Sequence, residues 1–237
     1  MYIREPAICE IPYVIEYSDI SLNSELETLI ELDREAKKQN RVHKVILMCE
    51  LGHIREGASK EEVEFLAGEC LKLENINLYG IGTNPSCYTA TMPTVEEMVE
   101  LVELTEKIEK KYNIKIEIIS GGNSTSYDML IEGKLPKRIN NLRMGESVFL
   151  GVIPCIERPI EGFNQDNFMV KAQIVEIKDK ASVPRDPVVG NGIFESVKPD
   201  FEDMGLRKKA LVAIGKQDIG VSKIKIQDPE IVSLRRK

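Results

Sequence analysis

Several short stretches of this 237-residue sequence gather side chains that could do chemistry. In Ile118–Ser126, "IISGGNSTS", an apolar run breaks into Gly121 and Gly122 and then into a row of amide and hydroxyl side chains. Glycines let the backbone approach a ligand, and the free N–H groups of a following helix start can face an anion. Ser124, Thr125 and Ser126 add hydroxyl donors, so phosphate is the natural ligand. On its own the pattern fits an ordinary strand–helix turn with an Asn or Ser cap equally well. "NNLRMGESVFLG" places Arg143 before a predicted strand, where a guanidinium can pair with an anion or hydrogen-bond an aromatic nitrogen. "CELGHIREG" sets Glu50 and Arg55 around a glycine turn, with His53 read as a loop residue rather than a base, and Asn84 closes "YGIGTN" with a polar amide.

These residues need a scaffold that brings them to one place. Short apolar, β-branched runs at 13–17, 43–49, 76–82, 114–119 and 147–151 predict buried strands, with "YIREP" (2–6) as a remnant of another. Helical spacing lies between them. Leu22, Leu26, Leu29 and Ile30 share a face in a helix predicted from about Ser21 to Lys38. Ser59 with Glu62, and Thr94 with Glu97, form capping boxes ahead of two more amphipathic helices. Strands recur roughly every 30 to 40 residues with a helix between, the rhythm of a parallel sheet. "ELGHIREG", "GTNPSCYTATMPT" and "SGGNSTS" all fall where strands give way to helices, which is the active face of such folds.

After Gly151 the texture changes. "FMVKAQIVEIK" (168–178) alternates like a strand, prolines and glycines punctuate 184–199, and "KALVAIG" (209–215) reads as another strand. The division is expected near 152, with an α/β part at 1–152 and a smaller β-rich part at 153–237.

Composition narrows the function classes. A net charge of −7 disfavours nucleic acid and anionic membrane as partners, and no apolar run is long enough to span a bilayer. Five scattered cysteines without a CxxC point to reduced thiols rather than a disulfide or zinc site, and two histidines leave no histidine-rich metal centre. With no apolar signal-peptide core in "MYIREPAICE", the expected location is cytoplasmic.

The ordered series "ELGHIREG", "GIGTN", "SGGNSTS", "LRMGESVFLG" and "VAIGKQD" resembles the alanine racemase family of pyridoxal 5′-phosphate (PLP) enzymes, and within it the ornithine racemase and related amino-acid racemase group. The resemblance covers nearly the whole chain. It implies an α/β fold, a (β/α)8 TIM-type PLP-binding barrel followed by a smaller β-rich domain. It also implies an amino-acid substrate, with ornithine or a similar amino acid the nearest candidate, and a homodimer.

Position by position, the resemblance assigns Arg55 to the cofactor's phenolic oxygen, and Ser124, with Asn123 beside it, to the phosphate. Arg143 is assigned to the pyridine nitrogen, and Gly145 and Glu146 to the phosphate through their backbone N–H groups. Asn84 stands where alanine racemases place a histidine stacked on the ring. A permanently protonated guanidinium at the pyridine nitrogen leaves the ring a weaker electron sink, which suits reversible α-proton exchange.

Two departures follow. No lysine matches the family's Schiff-base motif on the first barrel strand, and no tyrosine follows Tyr127 to act as the second base. Only five clear strands are legible where a closed barrel of about 250 residues has eight. The expectation is therefore a chain short at its N-terminus and also at its C-terminus, with a barrel lacking its first strands, inactive in the form given and with no catalytic residue identifiable. A non-catalytic PLP carrier, or a barrel enzyme acting on a phosphorylated metabolite, are the alternatives. Glu50, Glu146 and Asp218 are the acidic candidates for a substrate's distal amine.

Overall fold

The structure is a computed structural model, and it describes residues 1–86, 89–190, 201–219 and 227. The chain forms two compact units, residues 1–168 and 169–237.

The first unit is built on five parallel strands in consecutive order: β1 (Ile20–Asn23), β2 (His43–Met48), β3 (Ile76–Thr83), β4 (Ile118–Asn123) and β5 (Asn141–Arg143). Helices α2 (Leu26–Lys38), α3 (Lys60–Cys70), α4 (Val95–Tyr112) and α5 (Tyr127–Ile131) join successive strands. This is the βα succession of a (β/α)8 barrel, as expected, and it puts every strand-to-helix turn at the same end of the sheet. The main core lies between the sheet and its helices. Leu29 and Leu32 of α2, Val63 and Ala67 of α3, and Met98, Leu101 and Ile108 of α4 pack with Val45, Leu47, Ile81 and Ile119 of the strands. The opposite face carries a smaller cluster of Leu22, Ile46 and Met48.

Local signals that need no distant partner hold. Ser59 Oγ accepts from the Glu62 N–H at 3.2 Å while the Glu62 carboxylate accepts from the Ser59 N–H at 2.9 Å. Thr94 and Glu97 repeat the device at 3.2 and 2.8 Å. Tyr2 makes one parallel bridge to Ser21, all that "YIREP" adds to the sheet.

Two predicted strands are helices. Residues 13–17 lie in α1 (Ile11–Tyr17), where Pro12 sits in the first turn and Ile11, Val14 and Ile15 bury one helical face. The strand of this region is β1, inside the segment predicted to start a helix at Ser21, and α2 begins only at Leu26. Residues 147–151 form α6 (Glu146–Leu150), closed by Gly151 in the left-handed region at φ +66°. Val148, Phe149 and Leu150 are exposed there, so the apolar run is not a buried strand, and β5 precedes it. β4 also runs further than predicted, reaching Asn123.

Within the same unit, β6 (Val152–Ile153) and β7 (Arg158–Pro159) form a short antiparallel pair. The second unit contains the antiparallel pair β8 (Ile174–Ala181) and β9 (Leu206–Val212), then the single turn α7 (Lys216–Ile219). These pairs are the β-rich part expected after the barrel, with β8 and β9 offset by several residues from the predicted runs.

Candidate functional site

The carboxyl ends of β2 to β5 converge on one polar centre. The β4 turn comes first because its backbone is the most constrained. Gly122 has φ +107°, and a Cβ there would lie 2.7 Å from Pro85 Cδ and 2.9 Å from Ser126 Oγ. A Cβ at Gly121 would lie 2.7 Å from Ile139 Cγ2. Both glycines are thus required by the protein's own packing, whatever ligand the turn serves. Asn123 then caps the following 3₁₀ turn, its Oδ1 accepting from the Thr125 N–H at 2.9 Å. The amide-cap reading of the turn therefore holds.

Ser124, 3% exposed, is the focus. Its hydroxyl oxygen accepts from the Gly145 N–H at 3.2 Å, the Ser147 N–H at 3.2 Å and the Ser147 hydroxyl at 3.0 Å. Three donors from the start of α6 therefore meet at one point beside β4. Ser147 was not singled out by the sequence, because its part depends on α6 being a helix that starts at Glu146. Glu146 itself is exposed in the first turn of that helix.

Arg143 ends β5 and reaches across to β3, its Nη2 donating to the Thr83 carbonyl at 3.1 Å. Its Nε is buried and has no hydrogen-bond partner among the described residues. Burial pulls the Arg143 guanidinium below its ordinary value, opposed by Glu56 and reinforced by Arg55. Arg143 Nη1 lies 3.7 Å from Glu56 Oε1, and Arg55 Nη2 lies 3.8 Å from Glu56 Oε2. Asn84 donates to Glu56 Oε1 at 2.9 Å and accepts from Asn123 Nδ2 at 2.9 Å. Arg55, Asn84, Asn123, Ser124, Arg143 and Gly145 thus belong to one contiguous cluster, with Glu56 at its centre. Nothing in the sequence marks Glu56 beyond its place in "HIREG", since Asn84 and Arg143 are remote from it along the chain.

The loop carrying Arg55 and Glu56 is shaped by two further groups. Glu50 Oε1 accepts from the backbone N–H groups of His53 and Ile54, so this carboxylate serves the loop. His53 is buried, and its Nδ1 accepts from the Ser86 N–H at 3.2 Å. A backbone N–H can only donate, so the ring proton is assigned to Nε2, which faces Glu97 Oε1 at 3.2 Å outside hydrogen-bonding alignment. His53 is a structural loop residue, tying the turn after β2 to the turn after β3 and to α4. Asp218, in the second unit, accepts from the Gly215 N–H at 2.9 Å.

Comparison with known proteins accords with this geometry. The sequence profile described as alanine racemase, N-terminal domain, matches residues 2–152. The chain belongs to the alanine racemase family. It is 43% identical over 225 residues to ornithine racemase of Acetoanaerobium sticklandii, covering 94% of this chain and 63% of that protein. It is 35% identical over 219 residues to lysine racemase of Thermotoga maritima, covering 92% of this chain and 60% of the relative. The chain thus spans less than two thirds of the length of either racemase. Among solved structures, alanine racemase of Clostridium difficile 630 superposes with a TM-score of 0.61 at 20% identity, over 91% of this chain and 53% of the other. That likeness is one of fold. Among the described residues no helix is long and apolar enough to cross a membrane.

Proposed function

We propose that this chain is the cofactor-binding part of a PLP-dependent amino-acid racemase acting on ornithine or a similar amino acid. The observation that carries the proposal is the convergence of the Gly145 N–H, Ser147 N–H and Ser147 hydroxyl on Ser124, beside a buried arginine with an unpartnered Nε. Donors gathered at a helix start suit phosphate oxygens. The orphaned, desolvated Nε–H of Arg143 suits an aromatic nitrogen, which accepts without bringing a proton.

In this reading Ser124, Gly145 and Ser147 hold the 5′-phosphate, with Asn123 fixing the turn. Glu146 contributes its backbone N–H, while its exposed side chain stays in solvent. Arg143 holds the pyridine nitrogen and Arg55 the phenolic oxygen, while Asn84 borders the ring. Bound PLP draws electrons from the α-carbon of an attached amino acid and so makes its proton exchangeable. The residues on this face orient the cofactor and limit how much charge the ring accepts.

No lysine of the sequence matches the Schiff-base motif, so the chain as given is proposed to hold PLP without racemising. A homodimer, a cytoplasmic location and a functional division near residue 152, where the family match ends, belong to the same proposal.

Two measurements test it. Equilibrium dialysis of the chain with PLP is expected to show binding that Ser124→Ala weakens. A longer form of the chain that carries a lysine on a first barrel strand is expected to convert L-ornithine or L-lysine to the D form, followed by chiral chromatography. Retention of sugar phosphates as tight as that of PLP would favour the phosphorylated-metabolite enzyme instead, and no retention of PLP by either protein would end the cofactor reading.

A further inference from the structure

We propose that Glu56 is a positioning residue that ties the phosphate turn to the two arginines through a directional hydrogen-bond relay. The proposal rests on the PLP reading of the site and adds to it the means by which its two halves are held in register.

The direction of the relay follows from its ends. At one end the Thr125 N–H can only donate, and it donates to Asn123 Oδ1 at 2.9 Å. Asn123 must then present Nδ2 on its other side, where it donates to Asn84 Oδ1 at 2.9 Å and to the Pro85 carbonyl at 2.9 Å. Asn84 is turned in the same sense and presents Nδ2 to Glu56 Oε1 at 2.9 Å. At the other end an ionised carboxylate can only accept, so the orientation fixed at Thr125 agrees with the one fixed at Glu56. Both ends of the Asn84 amide are engaged. The Asn84 amide is thereby fixed in orientation.

Charge gives Glu56 a second task. Arg143 is buried and Arg55 stands close enough to disfavour its charge. Glu56 lies between them, 3.7 Å from one guanidinium and 3.8 Å from the other. Without the carboxylate, two like charges would face each other across a partly desolvated site, and Arg143 would leave the place from which its Nε can meet a ring nitrogen. The acceptor role and the charge role are separable, because glutamine keeps the first and lacks the second.

Two variants of the chain therefore test the proposal. In the cofactor-free protein, Glu56→Ala is expected to shift the side-chain amide resonances of Asn84 and Asn123 and the backbone resonance of Thr125. Glu56→Gln is expected to restore those resonances. Both variants are expected to bind PLP about tenfold more weakly, the scale of one charge-assisted interaction. Inorganic phosphate, the probe for the turn alone, should bind Glu56→Gln as it binds the unaltered chain. Resonance changes that stop at Asn84 would overturn the relay, and PLP affinity fully restored by Glu56→Gln would overturn the charge role. If the unaltered chain takes up no PLP, the cofactor reading fails, and the relay stands or falls on the resonances.

Discussion

The two rims of the candidate site are built from different materials. The rim formed by the end of β4 and the start of α6 is small and largely neutral, made of glycines, hydroxyls and backbone N–H groups packed against Pro85 and Ile139. The opposite rim is made of long charged side chains, with Arg55 and Glu56 in the loop after β2, Arg143 reaching in from β5 to pair with Glu56, and His53 as the buried anchor. The first rim is fixed by exclusion of volume and the second by balance of charge. Substitutions in the first should therefore act mainly through folding, and those in the second mainly through ligand affinity.

The largest expected effect lies in the packed rim. Gly122→Ala would place a Cβ 2.7 Å from Pro85 Cδ at a φ of +107°, and about 3 kcal/mol of stability should be lost. A urea midpoint unchanged from the parent would mean the turn is not rigid, and the contrast between the rims would fail.

Acid provides the next test, through the strand that carries the charged rim. His43, at the start of β2, is buried with Nε2 2.9 Å from Ser21 Oγ, and burial pushes its imidazole down to about 4. The unfolded chain takes up the proton near pH 6.5 and the folded chain does not, so stability falls as pH drops from there toward 4. The loss should reach about 2.5 kcal/mol by pH 4.5. Denaturation of His43→Gln over the same range should lack this component, and an identical slope in both proteins would refute the assignment.

Ser124→Ala sharpens the first rim further. It leaves the Gly145 and Ser147 N–H groups without their acceptor, and should cost about 1.5 kcal/mol along with weaker PLP binding. Full affinity in that variant would remove Ser124 from the phosphate site.

Arg143→Gln should instead weaken PLP binding about tenfold with little change in melting temperature. Arg55→Gln, at an exposed position, should produce a smaller effect that fades as salt is added. Equal losses of stability from the arginine and serine variants would erase the distinction between the rims.

Some of this was legible in the sequence for a physical reason. Capping boxes at Ser59 and Thr94 are satisfied within three residues, so their chemistry is visible in any short window. The helices behind them follow from the spacing of Val63, Leu66 and Cys70, or of Met98, Leu101 and Ile108. The short apolar runs at 13–17 and 147–151 were not legible as helices, because four or five apolar residues fit either a buried strand or a helix face. What decides between them is whether a neighbouring strand pairs with the run, and β1 and β5 already occupy those places in the sheet.

The sequence alone determined the βα rhythm, the helix starts and the order of polar turns along the chain, since these rest on contacts a few residues apart. It also placed Arg55, Asn84, Asn123 and Ser124 in turns that a parallel sheet must bring to one end, whereas Arg143 and Gly145, read as preceding a strand, reach that end only because β5 ends at Arg143 and a helix follows. Only the tertiary structure decided that Ser147 joins the cup, that Gly121 and Gly122 answer to Ile139 and Pro85, and that Glu56 lies between two arginines. Those are matters of distance between strands, and distance across a sheet is set by packing rather than by spacing along the chain.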